Sequence, residues 1–182
     1  MRYADFSELK TPRLVLRKLT REDIPFYYAR LAGSREVTQY MLFQPHQDLS
    51  ESEASIAKAL RRYEEGRFYR WAIDLPGSGL IGMIDLLAFE EDTESCSFAY
   101  MLGTEFWGKG YGTEALKSVL DFGFREMELK RIHADHFGEN TASGAVMRKV
   151  GMEYAGTVPG KYEKNGRKYD APRYEITREQ WK

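Results

Sequence analysis

The chain has 182 residues, 27 basic and 28 acidic, for a formal net charge of −1, with 42% hydrophobic and 14% aromatic residues. That is enough apolar material to core one ordinary domain over 1–182, and a 30% charged fraction balanced in sign excludes both a disordered chain and a basic nucleic-acid-binding domain. One cysteine, Cys96, and three histidines leave no disulfide and no metal-ligand spacing, no apolar run approaches the roughly 18 residues of a membrane span, and MRYADFSELK has no leader-like apolar core, so a cytoplasmic protein without a membrane partner is expected.

In chain order, RLVLR (13–17) places Leu14 and Leu16 on one face and reads as a first strand. Thr20 with Asp23 forms a capping box that opens a helix to about Leu31. Ser50 with Glu53 opens a second helix, with Ala54, Ala57 and Leu60 beside Ile56 and Tyr63, ended by Gly66. FYRWAIDL, GLIGMIDLLAF and SCSFAYML follow, rich in aromatic and β-branched residues and joined by turn signals such as Pro76 to Gly79; an antiparallel meander is expected. From Gly112 to Met127 the period returns to that of a helix, with Ala115, Leu116, Val119, Leu120 and Phe124 on one face, and RIHADHF is strand-like again. Asn140 caps a short helix that stops at Gly151, and MEYAGTV and KYDAPRYEI close the chain as a hairpin around Asn165 and Gly166. The predicted order is βααβββαβαββ, an α/β fold whose mixed, mostly antiparallel sheet carries helices on both faces. The basic run KYEKNGRK at the hairpin tip is expected to be solvated, and Phe26, Tyr27, Tyr28, Phe122 and Phe124 to be core.

The segment LGTEFWGKGYGTEA (102–115) sets Gly108, Gly110 and Gly112 at alternate positions between a strand and a helix. Backbone N–H groups can converge there without obstruction from a Cβ, and the helix start adds partial positive charge, so the segment suits phosphate. An ATP-binding loop fits from Gly103 to Lys109 but has Gly110 where a magnesium-binding hydroxyl is needed, and a dinucleotide fingerprint fails at Thr113.

WGKGYGTEA resembles the pyrophosphate loop of the GNAT family of N-acetyltransferases, with Gly110 and Gly112 matching and Trp107 in place of the usual Arg or Gln, as in the branch that acetylates ribosomal-protein N-termini. ENTASGAVMRKVGM and TPRLVLRKLTREDI extend the resemblance over nearly the whole chain from Thr11. It implies the GNAT fold and acetyl-coenzyme A as co-substrate, bound where two neighbouring strands splay apart. Tyr100, Met101 and Leu102 would line its pantetheine arm, and Trp107, Gly108, Lys109, Gly110, Tyr111, Gly112 and Thr113 would cradle its phosphates. Asn140 would bond its amide region, with helix capping as the competing role.

The implied reaction is direct attack of a neutral amine on the thioester, the oxyanion being held by a strand backbone N–H, with no role for Cys96 as acyl carrier. The tyrosine that protonates the leaving thiolate in many relatives is Met147 here, which makes Ser143 the candidate acid, and a glutamate often used as base aligns with Ser97. Asp85, Asp135 and His136 are the possible replacements. A lysine amine of pKa about 10.4 is neutral roughly once in 2,500 molecules at pH 7, an α-amine of pKa about 7.8 roughly once in seven, so a site without a strong base suits a protein N-terminus. Small-molecule amines such as polyamines are the alternative acceptors, and a non-catalytic acyl-coenzyme A sensor is a rival reading. The stretch from Tyr40 to Ser52, with Phe43, His46 and Asp48, is expected to form part of the acceptor cleft, and the family resemblance allows a homodimer.

Overall fold

The structure, a computed structural model, describes residues 1–181. Its frame is one eight-stranded sheet in the order β1-β2-β3-β4-β5-β6-β8-β7. The strands are β1 (Leu9–Lys10), β2 (Val15–Arg17), β3 (Tyr69–Leu75), β4 (Gly79–Glu90), β5 (Ser95–Leu102), β6 (Arg131–Asp135), β7 (Glu153–Lys164) and β8 (Arg167–Thr177). All neighbours are antiparallel except β5 and β6.

Strand alternation divides the apolar residues between two cores, one on each face of the sheet. Tyr69, Trp71 and Ile73 of β3 enter the larger core with Ile84, Leu86 and Phe98, under α4 (Tyr111–Arg125) and α5 (Thr141–Lys149). Ala72, Met83 and Met101 point the other way, into a smaller core with Leu31, Val37 and Ile56. On that side lie α1 (Ile24–Phe26), α2 (Arg35–Thr38) and α3 (Leu49–Glu65). Cys96 lies fully inside the larger core, where burial pushes its thiol pKa up and keeps it unreactive.

The expected elements are present, with local corrections. The Thr20–Asp23 box forms, the Thr20 N–H donating to Asp23 Oδ2 at 2.8 Å, but the helix it opens passes from 3-10 (Arg21–Asp23) through α1 into a π turn (Tyr27–Ala32). α3 is capped by Asp48 rather than by the expected Ser50 and Glu53: its Oδ1 accepts from the Ser50 and Glu51 amides at 2.9 and 3.3 Å. The buried face of α3 runs through Ser52, Ile56 and Ala59, which leaves Ala54 exposed. β1 and α2 are too short to show a period, and Phe26 is 39% exposed, with Arg30 over its ring.

The feature that positions the site is a fork in the sheet. β5 pairs with β6 only where Ser95, Cys96 and Ser97 face Arg131, Ile132 and His133. Beyond Ser97, β5 stays on β4, Phe98 facing Leu86 and Leu102 facing Gly82, while the chain after β6 follows β8 through the His136 and Gly138 amides on Pro172 and Asp170. Gly82 makes the β5 path possible, since a Cβ there would lie 2.5 Å from the Met101 carbonyl oxygen.

Candidate functional site

The fork opens a cleft of about 310 Å³ between the end of β5, the start of α4, the start of α5 and the α2 loop. Tyr100, Met101, Leu102, Trp107, Gly108, Gly110, Tyr111, Gly112, Thr113, Asn140 and Ser143 all line it. Lys109 does not: its carbonyl turns back to accept Arg13 Nη1 at 3.0 Å, and its ammonium lies 5.9 Å from the Phe106 ring.

The three alternating glycines serve two purposes. Gly108 and Gly110 have φ of 73° and 82°, a left-handed backbone that side-chain-bearing residues rarely adopt. Gly112 has an ordinary φ and is needed for space, because a Cβ would lie 3.2 Å from Leu102 Cδ1 and 3.4 Å from the Tyr100 ring. No side chain caps α4, so its first amides, which have no acceptor one turn back, face the cleft as donors for an anion. The chemistry of this turn, backbone donors without a side-chain cap at a helix start, suits a phosphate or pyrophosphate anion.

Two side chains hold the turn in place. Trp107 Nε1 donates to the Leu102 carbonyl at 2.8 Å and ties the turn to the end of β5. Arg13 braces it from the bend before β2: its Nε donates to Glu114 Oε2 at 2.7 Å, and its guanidinium lies 4.5 Å over the Tyr111 ring. Glu114 also accepts from Thr11 Oγ1 at 2.6 Å and the Arg13 amide at 2.9 Å; burial pushes its pKa up, but these hydrogen bonds outweigh it and hold the carboxyl below its usual value. Sequence reading missed Arg13 because its partner lies 101 residues away and no local pattern signals the pair.

On the opposite wall, Asn140 Oδ1 accepts the Ser143 amide at 3.2 Å, so the capping role is real. Ser143 is 8% exposed, with its hydroxyl beside the Tyr100 phenol. Burial raises the Tyr100 pKa, the neighbouring Ser143 hydroxyl opposes it, and the net upward shift keeps the phenol protonated.

The model of the acetyltransferase (GNAT) domain matches residues 13–153, most of the chain. The chain belongs to the GNAT acetyltransferase family. It is 29% identical over 174 residues to the uncharacterized N-acetyltransferase YoaA of Bacillus subtilis (strain 168), covering 95% of this chain and 98% of YoaA. It is 26% identical over 164 residues to the spermidine N(1)-acetyltransferase of Vibrio cholerae, covering 90% and 92%. Among solved structures, the ribosomal L7/L12 α-N-protein acetyltransferase RimL in complex with coenzyme A superposes with a TM-score of 0.83 over 94% of this chain and 98% of RimL; at 18% identity that likeness is one of fold.

For an N-acetyltransferase, the disposition of acids and bases follows from the same geometry. Met147 is buried in the larger core and carries no proton to donate. The expected replacement bases are all engaged elsewhere. Asp85 is clasped by Arg70, with Nη2 to Oδ2 at 2.6 Å. Asp135 accepts Arg173 Nε at 2.8 Å and pairs with Lys161; burial works against its charge, yet those partners hold its pKa below the usual carboxylate value. His136 Nδ1 is bonded to the Phe137 carbonyl at 2.7 Å, and its ring lies under Gly144, outside the cleft. The carboxylates that do line the cleft are Glu36 and Glu139, the latter bound to Arg167 Nη2 at 2.8 Å.

The acceptor-side stretch divides likewise. Tyr40 and Met41 line the cleft, whereas Phe43 and His46 pack against the smaller core, with His46 Nδ1 2.8 Å from Ser52 Oγ, and Asp48 caps α3. The basic hairpin is exposed at Lys161, Arg167 and Lys168, as expected of a solvated run, while Lys161 pairs with Asp135 and Arg167 with Glu139; the departure is Lys164, which is half-buried on backbone carbonyls of the α2 loop.

Proposed function

We propose that this N-acetyltransferase takes acetyl-coenzyme A as co-substrate and transfers the acetyl group to the α-amine of a peptide or protein N-terminus. The observation that carries the first half is the continuity of two backbone features, the unpaired β5 edge from Phe98 to Leu102 and the uncapped start of α4. An extended pantetheine arm pairs with the first as an added strand does, and the pyrophosphate meets the second. The amine nitrogen bonds to the thioester carbonyl carbon, a β5 N–H holds the oxyanion, and the carbon–sulfur bond breaks. The departing thiolate takes a proton from the Ser143 hydroxyl, which the Tyr100 phenol beside it resupplies; the amine proton leaves to solvent, from which Tyr100 is reprotonated before the next turnover.

Isothermal titration with acetyl-coenzyme A tests this, with Gly110→Glu as the blocking variant. The wild type binds, and the variant loses affinity by about a hundredfold or more, because it strains a left-handed position and sets a carboxylate at the anion site. Absence of binding to the wild type overturns the reading.

The α-amine preference rests on Asp85 and Asp135 being locked in ion pairs, which removes both as bases for a lysine-like amine. Glu36, which lines the cleft without a salt-bridge partner among the described residues, favours a second reading, a polyamine acceptor whose distal ammonium it would bind. Glu36→Gln separates the two: spermidine turnover through this contact loses about fivefold in kcat/KM, whereas turnover of a peptide carrying one amine is unchanged.

A further inference from the structure

The β7–β8 hairpin reaches across the open side of the fork, and its tip ends on the α2 loop. Lys164 Nζ donates to the carbonyls of Thr38 and Met41, each at 2.7 Å, and of Phe43 at 3.1 Å. An ammonium has three N–H donors, and all three are used. Next to it in the turn, Asn165 Oδ1 accepts Gln44 Nε2 at 2.8 Å. The rest of the hairpin is fixed to the other wall of the fork, Tyr162 stacking on Phe137 at 4.6 Å and Arg167 bonding Glu139. Tyr40, which lines the cleft, lies 5.9 Å from the same Phe137 ring.

The loop so held carries Gln39, Tyr40 and Met41, which line the cleft on a different segment from the glycine turn. Its own local support is slight, a single helical turn followed by the Met41 amide on the Thr38 carbonyl. Lys164 supplies three of the four hydrogen bonds described between the hairpin tip and this loop, the fourth being that of Gln44 to Asn165. We propose that Lys164 is a positioning residue that latches the α2 loop to the hairpin tip and thereby sets the acceptor wall of the cleft, so that acceptor recognition depends on it and binding of the acyl donor does not.

The proposal takes the cleft as the acyl-transfer site only in its kinetic arm. Lys164→Met removes the donors and keeps the stem. Hydrogen exchange of the loop amides at 39–44 rises about tenfold or more, while those of α4 change less than about twofold. With spermidine and a hexapeptide with a free amino-terminal serine as acceptor probes, KM for the one that is turned over rises about tenfold, while kcat and the acetyl-coenzyme A dissociation constant stay within about threefold. Lys164→Arg, which keeps the charge and its donors, restores most of both. Unchanged loop exchange, or a uniform rise along the chain that reports only lost stability, overturns the latch. Failure of the wild type to bind acetyl-coenzyme A or to turn over either probe counts against the proposed function, and loop exchange then decides the latch by itself.

Discussion

The two ends of the cleft are built by different means. At the glycine turn the groups facing the ligand space are backbone amides, placed by a strand end, two left-handed glycines and a helix start within 102–113. At the acceptor end the wall is a loop whose position depends on side chains from far along the chain: Lys164 lies 121 to 126 residues from the carbonyls it holds. A site made of backbone recurs wherever the local sequence recurs, whereas a site made of distant side chains is rebuilt with each change in its supports. Such a division leaves the donor end common to a family and the acceptor end free to vary.

If that contrast is right, damage at one end leaves the other's kinetic constant unmoved. The largest effect is expected where the two ends meet. Ser143→Ala lowers kcat about a hundredfold with little change in either substrate's KM, as steady-state kinetics would show, and Tyr100→Phe lowers it less. Equal activity in Ser143→Ala would remove the hydroxyl from the proton path.

Arg13→Ala comes next and tests the donor end alone. It leaves Glu114 without its guanidinium and the turn without its brace, so acetyl-coenzyme A binding weakens about tenfold by titration while KM for the acceptor holds. A parallel loss of acceptor affinity would mean that the two ends are coupled.

The smallest effect concerns pH. His133, on β6 opposite Ser97 and 7% exposed, has its Nδ1 buried with no partner among the described residues, and burial holds its pKa below 6.5. Because the folded-state pKa lies below the unfolded one, the unfolded chain binds the proton first; stability therefore falls as pH drops through 6.5 and levels off below the folded value. His133→Gln is expected to reduce that fall, seen as a smaller difference in Tm between pH 7.5 and pH 5. An unchanged difference would show that other groups cause it.

What was legible beforehand follows the same division. The aromatic and β-branched content of FYRWAIDL and the stripe of Ala115, Leu116 and Val119 are imprinted by burial, and the structure packs Tyr69, Trp71 and Ile73 with that stripe in the larger core. The anion turn was legible for a related reason, since left-handed backbone and close approach leave glycine as the residue that fits. Asp85, Asp135 and His136 are possible bases on their strand positions, but a strand pattern places a residue on a face and says nothing of the Arg70, Arg173 or Phe137 carbonyl that engages it. In the basic hairpin, exposed as expected at Lys161, Arg167 and Lys168, the role of Lys164 is hidden for the same reason, as charge counted along the chain does not show which charge meets a partner across the fold.

By itself the sequence determined the order of the elements, the mixed sheet with its two apolar faces, and the glycine turn between strand and helix, because periodicity, capping and left-handed backbone are encoded within a few residues of where they act. Tertiary structure alone decided where β5 and β6 part, that Arg13 braces the turn, that Asp85 and Asp135 are held as ion pairs, and that Lys164 spans to the α2 loop. Each of these joins residues on different segments, from 15 residues apart for Arg70 and Asp85 to 126 for Lys164 and Thr38, and such contacts exist only after the sheet has brought the segments together.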